Sequence, residues 1–276
     1  MIPTLKDAQP QRLVVTLVGA YVRDQSKIVW SGGLVQVLDV FGLSAQAARI
    51  ALARMVRRGL LEPQKRGRTV HYALTDRMMR AIRRGDKRLF NMGQVPAEDE
   101  PWTLLWHVIP DTARHERALL GRRLRFEGFG SPNDGMWLSP ADRKEAASEV
   151  VAELKIEDHC SIFLGRPGVG EGTKTLIDSA WDLDALASDY KDFVKEFSPF
   201  RAKRRRDELD DIEALRVHMA LTDRFRAFAS SDPGLPAALA TDPKTRKDSI
   251  ELFNLLYSEL QAPAQRAFDA LTAPRG

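Results

Sequence analysis

The sequence predicts an α+β chain of three successive regions: helices closed by a β-hairpin, then strands alternating with helices, then helices alone. Three observations carry this. Between residues 10 and 58, apolar residues recur at helical spacing, broken by capping and glycine signals, and a glycine-turned hairpin follows. From Trp102 the order is strand, helix, strand, helix, strand. From Asp182 onward the periodicity is helical. With 276 residues, 43% of them hydrophobic, the chain can pack two or three domains, and wholesale disorder is excluded.

The first helix opens at Pro10, a residue suited to a first helical turn, and places Leu13, Leu17 and Ala20/Tyr21 at helical spacing before residue 24. Ser31 is placed to cap a short second helix carrying Leu34, Val37, Leu38 and Phe41, which Gly42 ends. Ser44 caps a third helix that runs to Arg58 and stops at Gly59. Strands Leu60–Lys65 and Thr69–Leu74 follow, joined by Arg66-Gly67-Arg68, and Pro63, with no N–H to donate, confines the first of them to an edge. A fourth helix spans Thr75–Phe90. Helix, helix, glycine turn, helix and hairpin in that order are what a winged helix-turn-helix requires, so residues 1–92 are assigned to one.

Residues 93–101, with Pro96 and Glu98-Asp99-Glu100, read as a linker. Beyond it, Trp102–Ile109 predicts a strand, Asp111–Phe126 a helix, the Gly/Pro/Asn-rich stretch to Leu138 further strand, Pro140–Lys155 a helix and Cys160–Leu164 a strand. A glycine-rich loop, Gly165–Gly172, leads to a last strand at Lys174–Ser179. This order predicts a ferredoxin-like α/β sandwich over residues 101–181. Residues 182–276 form the α-helical C-terminal region, with helices at Asp182–Phe197, Asp207–Phe228 and Lys247–Leu271.

Charge is unevenly distributed. Residues 1–90 hold 17 Lys and Arg against 6 Asp and Glu, a balance of +11; the remainder holds 25 against 32, or −7, giving the chain its +4. A basic first third points to a polyanion as its partner. At 100° per residue, Gln46, Arg49, Ile50, Ala53 and Arg57 of the third helix fall within about 100° of one another, opposite Ala48, Ala51, Leu52, Met55 and Val56. One side is apolar and packs inward. The other presents Gln and Arg, which bond bidentately to adenine and guanine edges. Ser44 stands at the start of this helix; Arg54 and Arg58 on its flank suit phosphate contacts or an intradomain ion pair. Arg66 and Arg68 bracket Gly67 at the hairpin tip, where backbone or minor-groove contact is expected, and His71 follows on the return strand. The basic residues of the fourth helix, Arg77 to Lys87, read as further contacts or as an ordinary solvated face.

The one cysteine, Cys160, excludes an intramolecular disulfide framework and fits a reducing cytosol. Leu13–Val22, the longest N-terminal apolar stretch, falls far short of a bilayer span, and no secretory signal is visible, so the expected location is cytoplasmic with no membrane partner. The five histidines show no ligand spacing, and no Gly-x-Ser-x-Gly elbow or triad appears; no metal site, catalytic residue or cofactor is expected, and the chain is not read as an enzyme.

The run Leu43-Ser44, Ala48-Arg49, Ala51-Leu52, Arg54-Met55-Val56 and Gly59-Leu60, then Gly67-Arg68, Tyr72 and Leu74-Thr75, resembles the PaaX family. The similarity continues in Trp102-Thr103-Leu104, Arg122-Arg123-Leu124, Gly128-Phe129-Gly130, Trp137-Leu138-Ser139-Pro140 and Trp181 to Leu186, with Tyr190 and Phe193. Trp106-His107 departs from the pattern. The resemblance implies a repressor of phenylacetate and related aromatic catabolic operons. Such a protein binds pseudo-palindromic double-stranded operator DNA as a homodimer and is released by a small-molecule inducer, an aryl-CoA thioester or related aromatic acid. A dimer has an independent argument: one wing domain buries too little surface for tight binding, whereas two read half-sites whole helical turns apart.

Trp102, Trp106, Trp137 and Trp181 read as core packing or as an aromatic-lined inducer pocket, with His107 and Arg123 as polar anchors. In Gly168–Thr175, Thr173 intervenes between Gly172 and Lys174 and displaces the lysine from its phosphate-facing station in a P-loop, so the segment reads as a flexible loop. Arg201–Arg206, five basic residues in six, reads as a solvated interhelix segment or as an aid to DNA or CoA binding. The rival class is a CoA-ester-processing or nucleic-acid-processing enzyme tethered by a winged-helix module; a third is a constitutive DNA-binding or scaffolding protein without a ligand.

Overall fold

The structure, a computed structural model, describes residues 2–3, 5, 9–23, 27–94, 100–168 and 170–273. Residues 95–99 of the expected linker lie outside that set. The chain is α+β with two small antiparallel sheets.

The N-terminal region runs α1 (Pro10–Tyr21), β1 (Ile28–Trp30), α2 (Ser31–Val40), α3 (Ala45–Arg57), β2 (Leu61–Arg66), β3 (Thr69–Leu74) and α4 (Asp76–Phe90). Leu13, Leu17 and Tyr21 form the buried stripe of α1, joined by Val14 and Val18. The backbone N–H of Ala47 donates to Ser44 Oγ at 3.2 Å, so Ser44 caps α3. Ser31 does not cap α2: it is the first helical residue, and Trp30 holds the cap position without a side-chain bond. The reason is β1, a three-residue strand too short to leave a periodic signal, which feeds straight into α2. β1 pairs Val29 with Tyr72 and turns the expected hairpin into a three-stranded sheet ordered β1-β3-β2. Pro63 sits on edge strand β2, and Gly67, at φ +59, makes the turn between β2 and β3.

The middle region runs β4 (Trp102–His107), α5 (Arg114–Phe126), β5 (Gly130–Asn133), β6 (Met136–Ser139), α6 (Lys144–Leu154) and β7 (Cys160–Gly165). Its sheet order, β5-β6-β4-β7 with every pair antiparallel, is that of a ferredoxin-like sandwich. Leu105, Leu120, Leu124, Trp137 and Val151 form its core. The strand expected at Lys174–Ser179 is instead part of a helix, α7 (Glu171–Ala180). Leu176, Ile177 and Ala180 fall at helical spacing, and Ile177 is buried in one cluster with Trp102 and Leu235. The sandwich topology is complete without a fifth strand.

The last region is helical: α8 (Leu183–Phe197), α9 (Lys203–Asp207), α10 (Asp211–Ser231) and α11 (Pro243–Thr272). The chain packs as two compact units: Met1–Phe90 with Phe193–Arg226 and Ser249–Gly276, and Asn91–Asp192 with Ala227–Asp248. In the first, Leu215, Met219, Ala264 and Phe268 share one core with Leu17, Leu38 and Met55. Polar ties reinforce it: Arg12 pairs with Asp223 at 2.7 Å, and Asp86 pairs with Arg226 at 2.9 Å and also with Arg23. The side-chain amides of Gln261 and Gln265 donate to the carbonyls of Ala20 and Tyr21, which satisfies the end of α1. In the second, Asp232 accepts from Tyr190 and from Arg246, each at 2.6 Å, while Arg246 donates to the Met92 carbonyl.

Candidate nucleic-acid interface

Helix α3 presents two faces. Ala48, Ala51, Leu52 and Met55 are buried, while Gln46, Arg49, Ile50, Ala53, Arg54 and Arg57 are exposed. Among the described residues, Arg49, Arg54 and Arg57 form no ion pair, so their guanidinium groups stand free on one surface. Ile50, 46% exposed, sits among them; an apolar side chain there is of the kind that meets a thymine methyl group. Arg58 is held back: its Nη1 donates to Gln11 Oε1 at 2.8 Å, and its own carbonyl accepts from Arg77 at the same distance.

At the wing, Arg66 and Arg68 are exposed on either side of the Gly67 turn. His71 is elsewhere. It lies well down β3 from the turn, half-buried, opposite Gln64 on one side and Trp30 on the other. Sequence reasoning missed the fastening of the wing's base, where Thr75 Oγ1 donates to the carbonyls of Gly59 and Leu60 and accepts from the N–H of Met78. The signal was present, a threonine immediately before a helix.

The six residues read as lining an inducer pocket lie in different surroundings. Trp102 and Trp137 are buried in separate clusters, with Arg125 stacked 5.0 Å above the Trp137 ring. Arg123 is ion-paired with Glu153. Trp106 is 48% exposed, and its sequence neighbour His107 lies on the opposite, buried side of β4. Burial lowers the His107 pKa, Asp134 opposes the shift and Arg117 adds to it. Trp181 lines open space, a cleft of about 950 Å³ with Lys174, Asp178 and Ala240 and one of about 320 Å³ with Arg125, Phe129 and Asp189; the other five residues line neither of these two. The glycine-rich segment ends in the first turn of α7, where Glu171 stands. Within Arg201–Arg206, Arg206 is largely buried, donating to the carbonyls of Phe200 and Arg201 and pairing with Glu259, while Arg204 and Arg205 pair with Glu208. Among the described residues no group of three His, Cys, Asp or Glu is placed to hold a metal ion, and no helix is long and apolar enough to cross a membrane.

A cap-fixed helix with a free Gln/Arg face, beside an arginine-tipped hairpin, defines a winged helix-turn-helix protein, here carrying a ferredoxin-like middle region. The chain belongs to the PaaX family. Three family models match it in order: PaaX-like protein at residues 9–78, PaaX protein central Cas2-like domain at 96–177, and PaaX-like protein C-terminal domain at 181–270. It is 25% identical over 261 residues to Transcriptional repressor PaaX of Escherichia coli (strain K12), covering 93% of this chain and 81% of that protein. Among solved structures it is similar to Uncharacterized protein Rv0674 from Mycobacterium tuberculosis, with a TM-score of 0.54, 21% identity, and 94% and 96% of the two chains covered. That likeness concerns the fold alone.

Proposed function

We propose that this chain is a cytoplasmic, ligand-responsive transcriptional repressor that binds a pseudo-palindromic operator as a homodimer. Its release is by an aryl-CoA thioester or related aromatic inducer. The observation that carries the reading is the free face of α3, where Gln46, Arg49, Ile50, Ala53 and Arg57 are exposed together on a helix fixed by its Ser44 cap and buried apolar side. Specificity comes from that face, and affinity from phosphate contacts by Arg54, Arg66 and Arg68. The repressor role of the Escherichia coli relative supports the same reading. For the inducer, the cleft at Trp181 that also holds Phe129 and Arg125 offers aromatic walls and a guanidinium. A ligand there releases DNA only through its differential affinity for the DNA-competent arrangement.

The test is selection of bound duplexes from a random library. Wild type is expected to enrich an inverted repeat with half-sites spaced by whole helical turns. Arg49→Ala combined with Arg57→Ala removes the enrichment while sedimentation still shows the dimer. Enrichment of the same repeat by the double variant rejects α3 as the reader.

A further inference from the structure

A groove in the first compact unit is left unused by this reading. It offers about 310 Å³ between the first sheet and the end of α11, with Tyr21, Trp30 and Phe268 as aromatic walls and Arg66, His71, Asp269 and Thr272 among its charged or polar groups. The sheet register places these side chains together. Trp30 is opposite His71, and His71 is opposite Gln64, so the three share a face. Arg66, two residues beyond Gln64 on the same strand, shares it too. Val29 and Tyr72, on the other face, enter the core. The indole lies close over Gly32, where any side chain would collide with its six-membered ring.

The polar groups of the lining include a guanidinium and an imidazole, with one carboxylate, Asp269, among them. Arg66 is exposed and forms no ion pair among the described residues. His71 Nδ1 is buried and meets no hydrogen-bond partner there, which leaves Nε2 as the nitrogen that can carry the ring proton to a ligand. Asp269, the carboxylate in the lining, accepts from the Gln265 amide at 2.9 Å and keeps its negative charge, which the guanidinium of Arg66 must outweigh for an anion to bind. A free guanidinium and an imidazole beside an indole suit a carboxylate carried on an aromatic ring: the fork of Arg66 pairs with the two oxygens and the ring lies against Trp30. The volume is at the small end of ordinary ligand sites, which run from about 300 to 1,000 Å³. It has room for an acid of one or two rings, and a whole CoA thioester would extend beyond it.

We propose that this groove binds a small aromatic carboxylate, and that the ligand draws Arg66 away from DNA phosphate. The binding stands on the groove alone; its consequence for DNA rests on the repressor reading above. The test is calorimetric titration of the full chain with benzoate and with indole-3-acetate, against benzamide, which keeps the ring and loses the charge. Benzoate or indole-3-acetate binds and benzamide does not; Arg66→Ala and His71→Gln each weaken binding about tenfold or more, with unchanged melting temperatures showing both variants folded. Absence of binding by both acids, equal binding of benzamide, or unchanged affinity in both variants overturns the site. In a second arm, the saturating acid lowers wild-type affinity for the selected duplex and leaves that of Arg66→Ala unchanged. No effect on wild type overturns the coupling. If no duplex is selected at all while the acid still binds through Arg66, the repressor reading fails and the groove stands.

Discussion

His218 has no exposed surface, its Nδ1 lies 2.6 Å from the Tyr21 hydroxyl, and the Tyr257 ring packs 4.5 Å away centre to centre. Among the described residues no carboxylate is hydrogen-bonded to the ring, and burial, only partly opposed by a backbone bond at Tyr257, favours the neutral imidazole and pulls its pKa from 6.5 down to about 4. In the unfolded chain the ring takes up its proton near the ordinary value. Between the two values the unfolded state therefore binds more protons, and the sign follows: the stability tied to neutral His218 is fully present above about pH 6.5 and is lost as pH falls toward 4. At about 1.4 kcal/mol per pKa unit the loss approaches ~3 kcal/mol. Urea unfolding of wild type and His218→Phe, compared across that window, is expected to show a steeper acid loss in wild type. Parallel pH dependence in the two proteins contradicts this account. The same residue also shows what single positions conceal in sequence. Nothing around His218 in the chain announces Tyr21, whereas Ser44 announces its own cap because its partner is three residues away.

Helix α3 was legible as an element because every cause of it is local: a serine cap, an apolar face at 3.6-residue spacing, and a glycine stop at φ +65. The hairpin was legible for the same reason. β1 was not, since three residues carry no period and its existence depends on β3, far along the chain. This matters for the site, because β1 brings Trp30 beside His71 and so moves that histidine from the wing surface into a groove. The helix at 171–180 was hidden differently: its short alternating stretch fits a strand, and Ile177 is helical because the packing with Trp102 and Leu235 rewards it. Element contact also yields a sharp expectation at α2. A side chain at Gly33 would stand 2.5 Å from the Thr272 Cα, a backbone atom of α11 that has no rotamer by which to yield. Gly33→Ala is expected to part α2 from α11 at a cost of about 2 kcal/mol. Chemical denaturation measures it, and a stability within ~0.5 kcal/mol of wild type shows that the helices adjust freely.

At the scale of the whole molecule, sequence order and packing part company. The basic N-terminal region contains every element of a winged helix-turn-helix, and its local signals are those of a self-sufficient module. Its core is nevertheless completed from the far end of the chain. Leu215, Met219, Ala264, Ala267 and Phe268 lie in one buried cluster with Leu13, Leu17, Leu34 and Met55. Local periodicity marks which residues face inward and is silent about which distant helix they meet, so this closure was not readable from residues 1–92. Charge follows packing rather than sequence as well: Arg12 and Arg23, two of the N-terminal basic residues, pair with Asp223 and Asp86, which offsets their contribution to the surface field. A fragment ending at residue 92 would expose the apolar sides of α1 and α2 that α10 and α11 now cover, and would leave the terminal carbonyls of α1 without Gln261 and Gln265. Burial of five apolar side chains at about 1 to 3 kcal/mol each is comparable to the entire stability of an ordinary domain, about 5 to 15 kcal/mol. The isolated fragment is therefore expected to melt without a cooperative transition and to bind DNA without sequence preference, while the full chain unfolds cooperatively and discriminates. Calorimetry paired with duplex selection on the two proteins decides it: a fragment that melts sharply and enriches the full chain's repeat shows that the C-terminal helices are dispensable to the reader they cover.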